Sequence, residues 1–284
     1  MRPDEEYTSG VRAALQLSGG ASWERWLHRG IAPCAVGVSQ CASHTYAFGQ
    51  DIYTGQLVHG DTTPVKGTRP NAGWLYVQES SRYERPNRLD ETSVTLGVTG
   101  APALGETTIK IVHAFAPDYN RPINWDSQLP FEPGLILAWD HTERILTIGE
   151  GKRFGADVEP HAGASFGNIL TEGRAGVTVR TGFKMQHPWL LAAIDSSDTT
   201  PAVTLFGDAT VHGVLRNGFL AGTLFSSSPH VRERPFVTEY QAGVTFRLQQ
   251  VSISWVAHQL SSEYFSRAQG HAWSRLAVEY RFTR

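Results

Sequence analysis

Apolar and polar residues alternate with period two along most of this chain. "LAVEYRF" sets Leu276, Val278, Tyr280 and Phe282 against Ala277, Glu279 and Arg281. "GVTFRLQQVSISWV" gives Val244, Phe246 and Leu248, then Val251, Ile253 and Trp255. "HTYAFGQDIY", "SVTLGV", "GVTVRTG" and "AVTLFG" repeat the pattern. Such alternation sends successive side chains to opposite faces of a strand. Polar clusters such as "SSDTTP" and "SSSPHVRERP" separate the runs, and amphipathic helices are scarce. The expectation is an all-β, antiparallel protein.

One stretch departs from the pattern. In "TIKIVHAFA", Ile109, Val112, His113 and Ala116 fall at i, i+3, i+4 and i+7, one face of a helix. Thr107 or Thr108 is placed to cap it and Pro117 to end it. A single short helix, with His113 on its buried stripe, is therefore expected against the β-structure.

Alternation alone fits a soluble sandwich as well as a membrane barrel. Two features favour a transmembrane barrel. Bulky apolar residues alternate with small or polar ones, as a lipid face and a lumen face require. Aromatic residues stand near run ends (Tyr46, Trp74, Tyr76, Trp139, Trp255, Tyr280), where an interfacial girdle would lie. The mean hydropathy of −0.27 does not oppose this, because only half of each strand meets lipid. With no linker, repeat or low-complexity tract, residues 1–284 read as one domain.

Composition narrows the partners. Lys plus Arg number 25 and Asp plus Glu 27, a net charge of −2, which gives nucleic acid no electrostatic footing. No apolar run approaches the roughly 18 residues of a transmembrane helix. "MRPDEEYTSG" lacks the apolar core of a signal peptide, so the chain is expected either to be cytosolic or to have a trimmed or mis-assigned start. Cys34 and Cys41 are not spaced as C-x-x-C and lack a four-ligand zinc set. They read as a short disulfide loop or as two thiols. "GASFG" around Ser165 fits G-x-S-x-G, but its surroundings read as strand and not as a nucleophile elbow.

The blocks "DEEYTSGVRAAL", "FGQDIYT", "TRPNAGWLY", "LGVTGAPALGETTIKIVH", "NWDSQLPFEPGL" and "FGNILTEGRAGVTVRTG", in this order, resemble the lipid A 3′-O-deacylase family of outer-membrane β-barrels. "DEEYTSGVRAAL" looks like its opening strand and "FGQDIYT" like the next signature. "TRPNAGWLY" is similar to D-R-P-Y-A-G-W-L-Y, and "LGVTGAPALGETTIKIVH" to G-x-x-G-P…L-G-E-x-x-Q-x-x-x-H. "NWDSQLPFEPGL" and "FGNILTEGRAGVTVRTG" follow in family order. The resemblance implies a barrel of about 12 strands, with an active site between the wall and a short helix. It also implies calcium dependence and hydrolysis of the 3′-linked acyl or acyloxyacyl ester of lipid A. The outer membrane is then the expected location, lipid A or lipopolysaccharide the partner, and a monomer the expected state.

On that resemblance His113 falls on the catalytic histidine, a general base for water attacking the ester. Glu106, Lys110, Arg69, Thr8, Tyr7 and Gln128 are candidates for substrate binding or support, Arg69 because a guanidinium suits phosphate. Trp125 and Glu132 are expected to fix a loop over the site. Asp4 and Asp51 are the calcium candidates, since oxygen ligands suit that ion. The family has glutamine where this chain has Ile109, four residues before the histidine. Glu106, about 10.5 Å from His113 along the axis at about 1.5 Å per residue, does not replace it directly. The family's upstream Asn-Asp pair has no counterpart here either. These departures motivate an alternative, a catalytically impaired barrel that binds lipopolysaccharide or serves a structural role. A soluble lipocalin-like carrier is the third reading, separable by heat-modifiable migration in detergent.

Overall fold

The structure, a computed structural model, describes residues 6–19, 31–35, 38–57, 62, 64–115, 123–149, 153–189 and 200–282. Their strands are β1 (Glu6–Ser18), β2 (Cys41–Thr54), β3 (Ala72–Arg85), β4 (Arg88–Thr99), β5 (Pro133–Glu143) and β6 (Leu146–Ile148). β7 (Phe154–Gly167), β8 (Leu170–Phe183), β9 (Ala202–Asn217), β10 (Phe236–Leu248), β11 (Val251–Leu260) and β12 (His271–Tyr280) follow. All belong to one 12-stranded antiparallel sheet in which sequence neighbours pair. The short β6 carries on from β5 along the same partner, β7. The sheet curls round so that Tyr7 of β1 and Trp273 of β12 bring their rings to 5.4 Å. Among the described residues no ladder joins β1 to β12.

The alternating runs cited above fall on strands, with Gln249 and Gln250 turning between β10 and β11 and Arg281 and Phe282 running past β12, because neighbours two apart share a face and the two faces meet different surroundings. The outer face is apolar and exposed. Val11 and Leu15 of β1, Phe48 of β2, Val77 of β3, Leu137 of β5, Val179 of β8, Leu205 of β9 and Ile253 of β11 all stand on it. So broad an exposed apolar belt suits lipid and not water.

The inner face is polar and internally paired. Arg180 donates to Asp157 at 2.9 and 2.5 Å, Arg174 to Asp140 at 2.8 Å, and His161 meets Asp208 at 2.8 Å. Arg174, His161 and Asp208 line a lumenal cavity of about 570 Å³ together with Glu172, His212 and Glu239. A lipocalin-like carrier would have the reverse arrangement.

Four of the expected girdle aromatics, Tyr46, Trp139, Trp255 and Tyr280, do lie exposed on the outer face. Trp74 and Tyr76 do not. Trp74 pairs with Asp51 and Tyr76 with Gly49, on the inward side of β3. There they help close one end of the lumen. Phe219, carried by the short α2 (Gly218–Ala221), stacks on Tyr53 at 4.6 Å and meets Trp74 edge-on at 6.1 Å.

Cys34 and Cys41 form a disulfide that ties the β1–β2 connection to the start of β2. For so short a loop the chain-entropy contribution is about 2–3 kcal/mol. Maleimide labelling of the unfolded protein is expected to add no label before reduction and two afterwards.

Candidate active site

The helix α1 spans Gly105–Phe115 and follows a 3₁₀ turn at Ala101–Ala103. It starts earlier than the threonines suggested. Leu104, left-handed at φ 58°, turns the chain into it, and Thr108 N–H donates to Leu104 O at 3.0 Å. The described helix runs to Phe115, and Pro117, the expected stop, lies outside the described residues. The buried stripe differs from the expected one. Gly105, Ile109 and His113 are buried, whereas Val112 is 44% exposed and Ala116 lies outside the described residues.

Strand pleating shows where α1 sits. In β2, Tyr46 and Phe48 face outward, so Gln50 and Ile52 do too. These two residues meet the helix. The Gln50 amide donates to Ala103 O at 2.5 Å and accepts the Thr108 hydroxyl at 2.9 Å. Ile109 packs with Ile52 and Trp125. Gly73, opposite Ile52 on β3, lets the junction come close, and an added Cβ would stand 3.1 Å from both Ala103 Cβ and Gly105 N. The helix therefore lies on the outside of the barrel wall. Its first turn meets Gly73 of β3 and its second meets Ile52 of β2. Leu104 at the turn into the helix and Ile111 and Val112 on it are exposed, open to lipid. His113 itself is 5% exposed.

The remaining candidates distribute unevenly. Glu106 and Lys110 bind each other at 2.7 Å on the exposed side of α1, an ordinary i, i+4 pair. Arg69 is buried at the closed end, 4.7 Å over the Tyr53 ring and 3.4 Å from Glu263. Gln128 lies in the turn after Trp125, its N–H on Trp125 O at 3.0 Å. Thr8 sits at a β-bulge of β1, between Tyr7 and Ser9. Tyr7 and Asp51 face the lumen and are hydrogen-bonded at 3.1 Å, so β2 itself separates Asp51 from α1. Asp4 lies outside the described residues.

Calcium prefers 6–8 oxygen ligands. Beside α1 the described residues offer Glu106, already paired with Lys110, and the Gln50 amide, already tied to the helix. Among the described residues the one group of three His, Cys, Asp or Glu side chains with converging ligand atoms is Cys34, Cys41 and Glu84, in which the two sulfurs are joined to each other. These residues do not fit a calcium ion.

Other residues hold the loops, and only some were legible in the sequence. Trp125 wedges against Gly105 and the Ile52–Ile109 contact. Glu132 accepts Asn168 Nδ2 at 2.7 Å and Leu224 N–H at 2.6 Å, tying two connections together. Asn71 accepts Gly55 N–H at 2.9 Å and donates to Asn124 O at 2.9 Å. Gln50 and Asn71 stand inside quoted motifs, but nothing local announced their tethering roles. Ser165 is on β7 and accepts Arg174 Nη1 at 2.9 Å, so it is no nucleophile elbow.

An apolar outer belt around a polar lumen, on one curled sheet of 12 antiparallel strands, defines an outer-membrane β-barrel. The family model described as "Outer membrane protein LpxR" matches residues 1–282, and the chain belongs to that family. Among solved structures, "LpxR from Salmonella typhimurium" is similar in fold. Its TM-score is 0.76 at 18% identity, covering 98% of this chain and 90% of that one. No curated protein matched the sequence.

Proposed function

We propose that the chain removes the 3′-linked acyl or acyloxyacyl group of lipid A by ester hydrolysis, with His113 as general base. The observation that carries this reading is that His113 is buried on the same stripe of α1 as Ile109, which packs against Ile52 on the outer face of the barrel wall. A substrate embedded in the membrane reaches that face without leaving it. His113 takes a proton from water as the water adds to the ester carbonyl, then returns it to the departing sugar oxygen. The products are a fatty acid and a free hydroxyl. A positioned histidine contributes about 10²–10⁴-fold in such a step. Calcium enters this proposal through the family resemblance alone, and no step is assigned to it.

A second reading is the catalytically impaired barrel that binds lipopolysaccharide. Ile109, packed between Ile52 and Trp125, favours it, because the position one turn before His113 offers no polar group. Mass spectrometry of lipid A from membranes expressing the protein, with calcium or with EDTA, separates the two. Loss of a 3′ acyl mass is expected, and its disappearance in EDTA with return on added calcium but not magnesium would establish the ion. Unchanged lipid A beside a folded, heat-modifiable barrel would leave the second reading.

A further inference from the structure

Arg232 and Arg234, in the connection before β10, lie over one ring. Their guanidinium carbons are 4.5 and 4.9 Å from the centroid of Phe265, which is in the β11–β12 connection. The backbone holds this arrangement. Glu233 bridges Tyr264 antiparallel, Phe265 N–H donates to Arg232 O at 3.0 Å, and Arg234 N–H donates to Glu263 O at 2.7 Å. Alternation then turns Arg232 and Arg234 to one side of the bridge and Glu233 to the other.

The nearby carboxylates are turned elsewhere. Glu233 accepts Asn217 N–H at 2.8 Å, and burial pushes its carboxyl pKa up. Glu263 faces Arg69 at 3.4 Å and His271 at 3.6 Å. No carboxylate pairs with Arg232 or Arg234 among the described residues. Arg234 donates its Nε–H to Ser262 Oγ at 3.3 Å and Tyr264 O at 3.4 Å, which fixes the fork in place. More positive charge stands alongside. The Ser266 hydroxyl donates to Gly67 O at 2.5 Å, which brings the Lys66 turn beside this connection. Like charges held together repel, and a bound anion relieves that repulsion.

We propose that Arg232 and Arg234 form a clamp for the phosphate monoester headgroup of a membrane lipid at this rim of the barrel. Two fixed guanidinium groups match a dianionic monoester better than a singly charged diester, and their forks suit phosphate oxygens. A lipid is favoured over free phosphate by the surrounding apolar rim. Phe265 is 46% exposed, and Leu224, Phe225 and Phe236 of the neighbouring segments are exposed too. The clamp rests on the membrane-barrel fold and not on hydrolysis. If the deacylase reading holds, the same clamp grips a phosphate of the substrate.

The test is binding of the purified protein in detergent micelles to lipid A carrying both phosphates, to dephosphorylated lipid A and to phosphatidylglycerol. The wild type is expected to prefer the phosphorylated form by about tenfold or more, since hydrogen bonds between charged groups are the strong ones. In Arg232→Gln/Arg234→Gln the ratio is expected to fall to about one, with heat-modifiable migration intact. An unchanged ratio in that folded variant would overturn the clamp. So would phosphatidylglycerol binding as tightly as phosphorylated lipid A, or displacement by millimolar inorganic phosphate. Should the glutamine variant fail to fold, Arg232→Lys/Arg234→Lys decides, because an undiminished ratio there would overturn the fork geometry. Acyl masses read in the same samples keep the two proposals apart. Phosphate preference without acyl loss leaves the clamp standing and the deacylase fallen, and the reverse result does the opposite.

Discussion

Lipid A deacylation is expected to fall by about 10²–10⁴-fold in His113→Ala, with the barrel still folded. The loss follows from chemistry. Alanine has no group to take the proton from water, and no other histidine stands on α1. The fold is expected to persist because α1 contributes nothing to the strand ladders, and its docking rests also on Ile109, Ile52, Trp125 and the Gln50 bonds. A buried truncation on such an element costs about 0.5–3 kcal/mol, a local effect. His113→Gln sharpens the result, since it keeps polarity and much of the volume without a titrating base. Activity is measured as the rate of acyl-mass loss from lipid A in detergent, and folding as heat-modifiable migration. A folded variant with undiminished rate would remove His113 from the chemistry.

The strands were legible because each face of the sheet meets one environment, lipid or lumen, so polarity alternates as the pleat does. Which aromatics face which way was not. Trp74 and Tyr76 have the same parity within β3 as Asp51 has in the paired register of β2, and that register appears only when the strands are paired. The same parity puts Asp51 in the lumen, away from the helix it was meant to serve. The α1 stripe shows a second limit. Periodicity counts apolar positions, but on a lipid-facing helix Ile111 and Val112 are apolar and exposed, while Gly105 is buried because Gly73 lets it approach. Amphipathicity thus separates buried from water-facing residues and not buried from lipid-facing ones. The tethers were hidden by distance in sequence. Gln50 reaches Ala103 across 53 residues and Glu132 reaches Asn168 across 36, with no local pattern linking either pair.

Gly73→Val is expected to separate the barrel from the site. Residue 73 lies within β3 and faces outward, where a β-branched residue favours strand and leaves the backbone bonds to β2 intact. The collision comes from the helix side. A Cβ there stands 3.1 Å from Ala103 Cβ and 3.2 Å from Gly105 Cα, and valine adds two methyls beyond it. The strand is held by ladders on both sides, so the junction into α1 must give way. Moving it draws Thr108 from Gln50 and Ile109 from Ile52, and shifts His113 relative to the wall. A misplacement of about 1 Å costs about 10²-fold in a positioned reaction. Heat-modifiable migration is expected to match wild type while the deacylation rate drops by that factor. Gly73→Ala, which asks its neighbours for a few tenths of an ångström at most, is expected to fall between the two. Full activity in the valine variant would mean that close docking of α1 on β3 does not position the reacting groups. The site would then have to be sought away from the helix–wall contact, on a surface that moving α1 leaves unchanged.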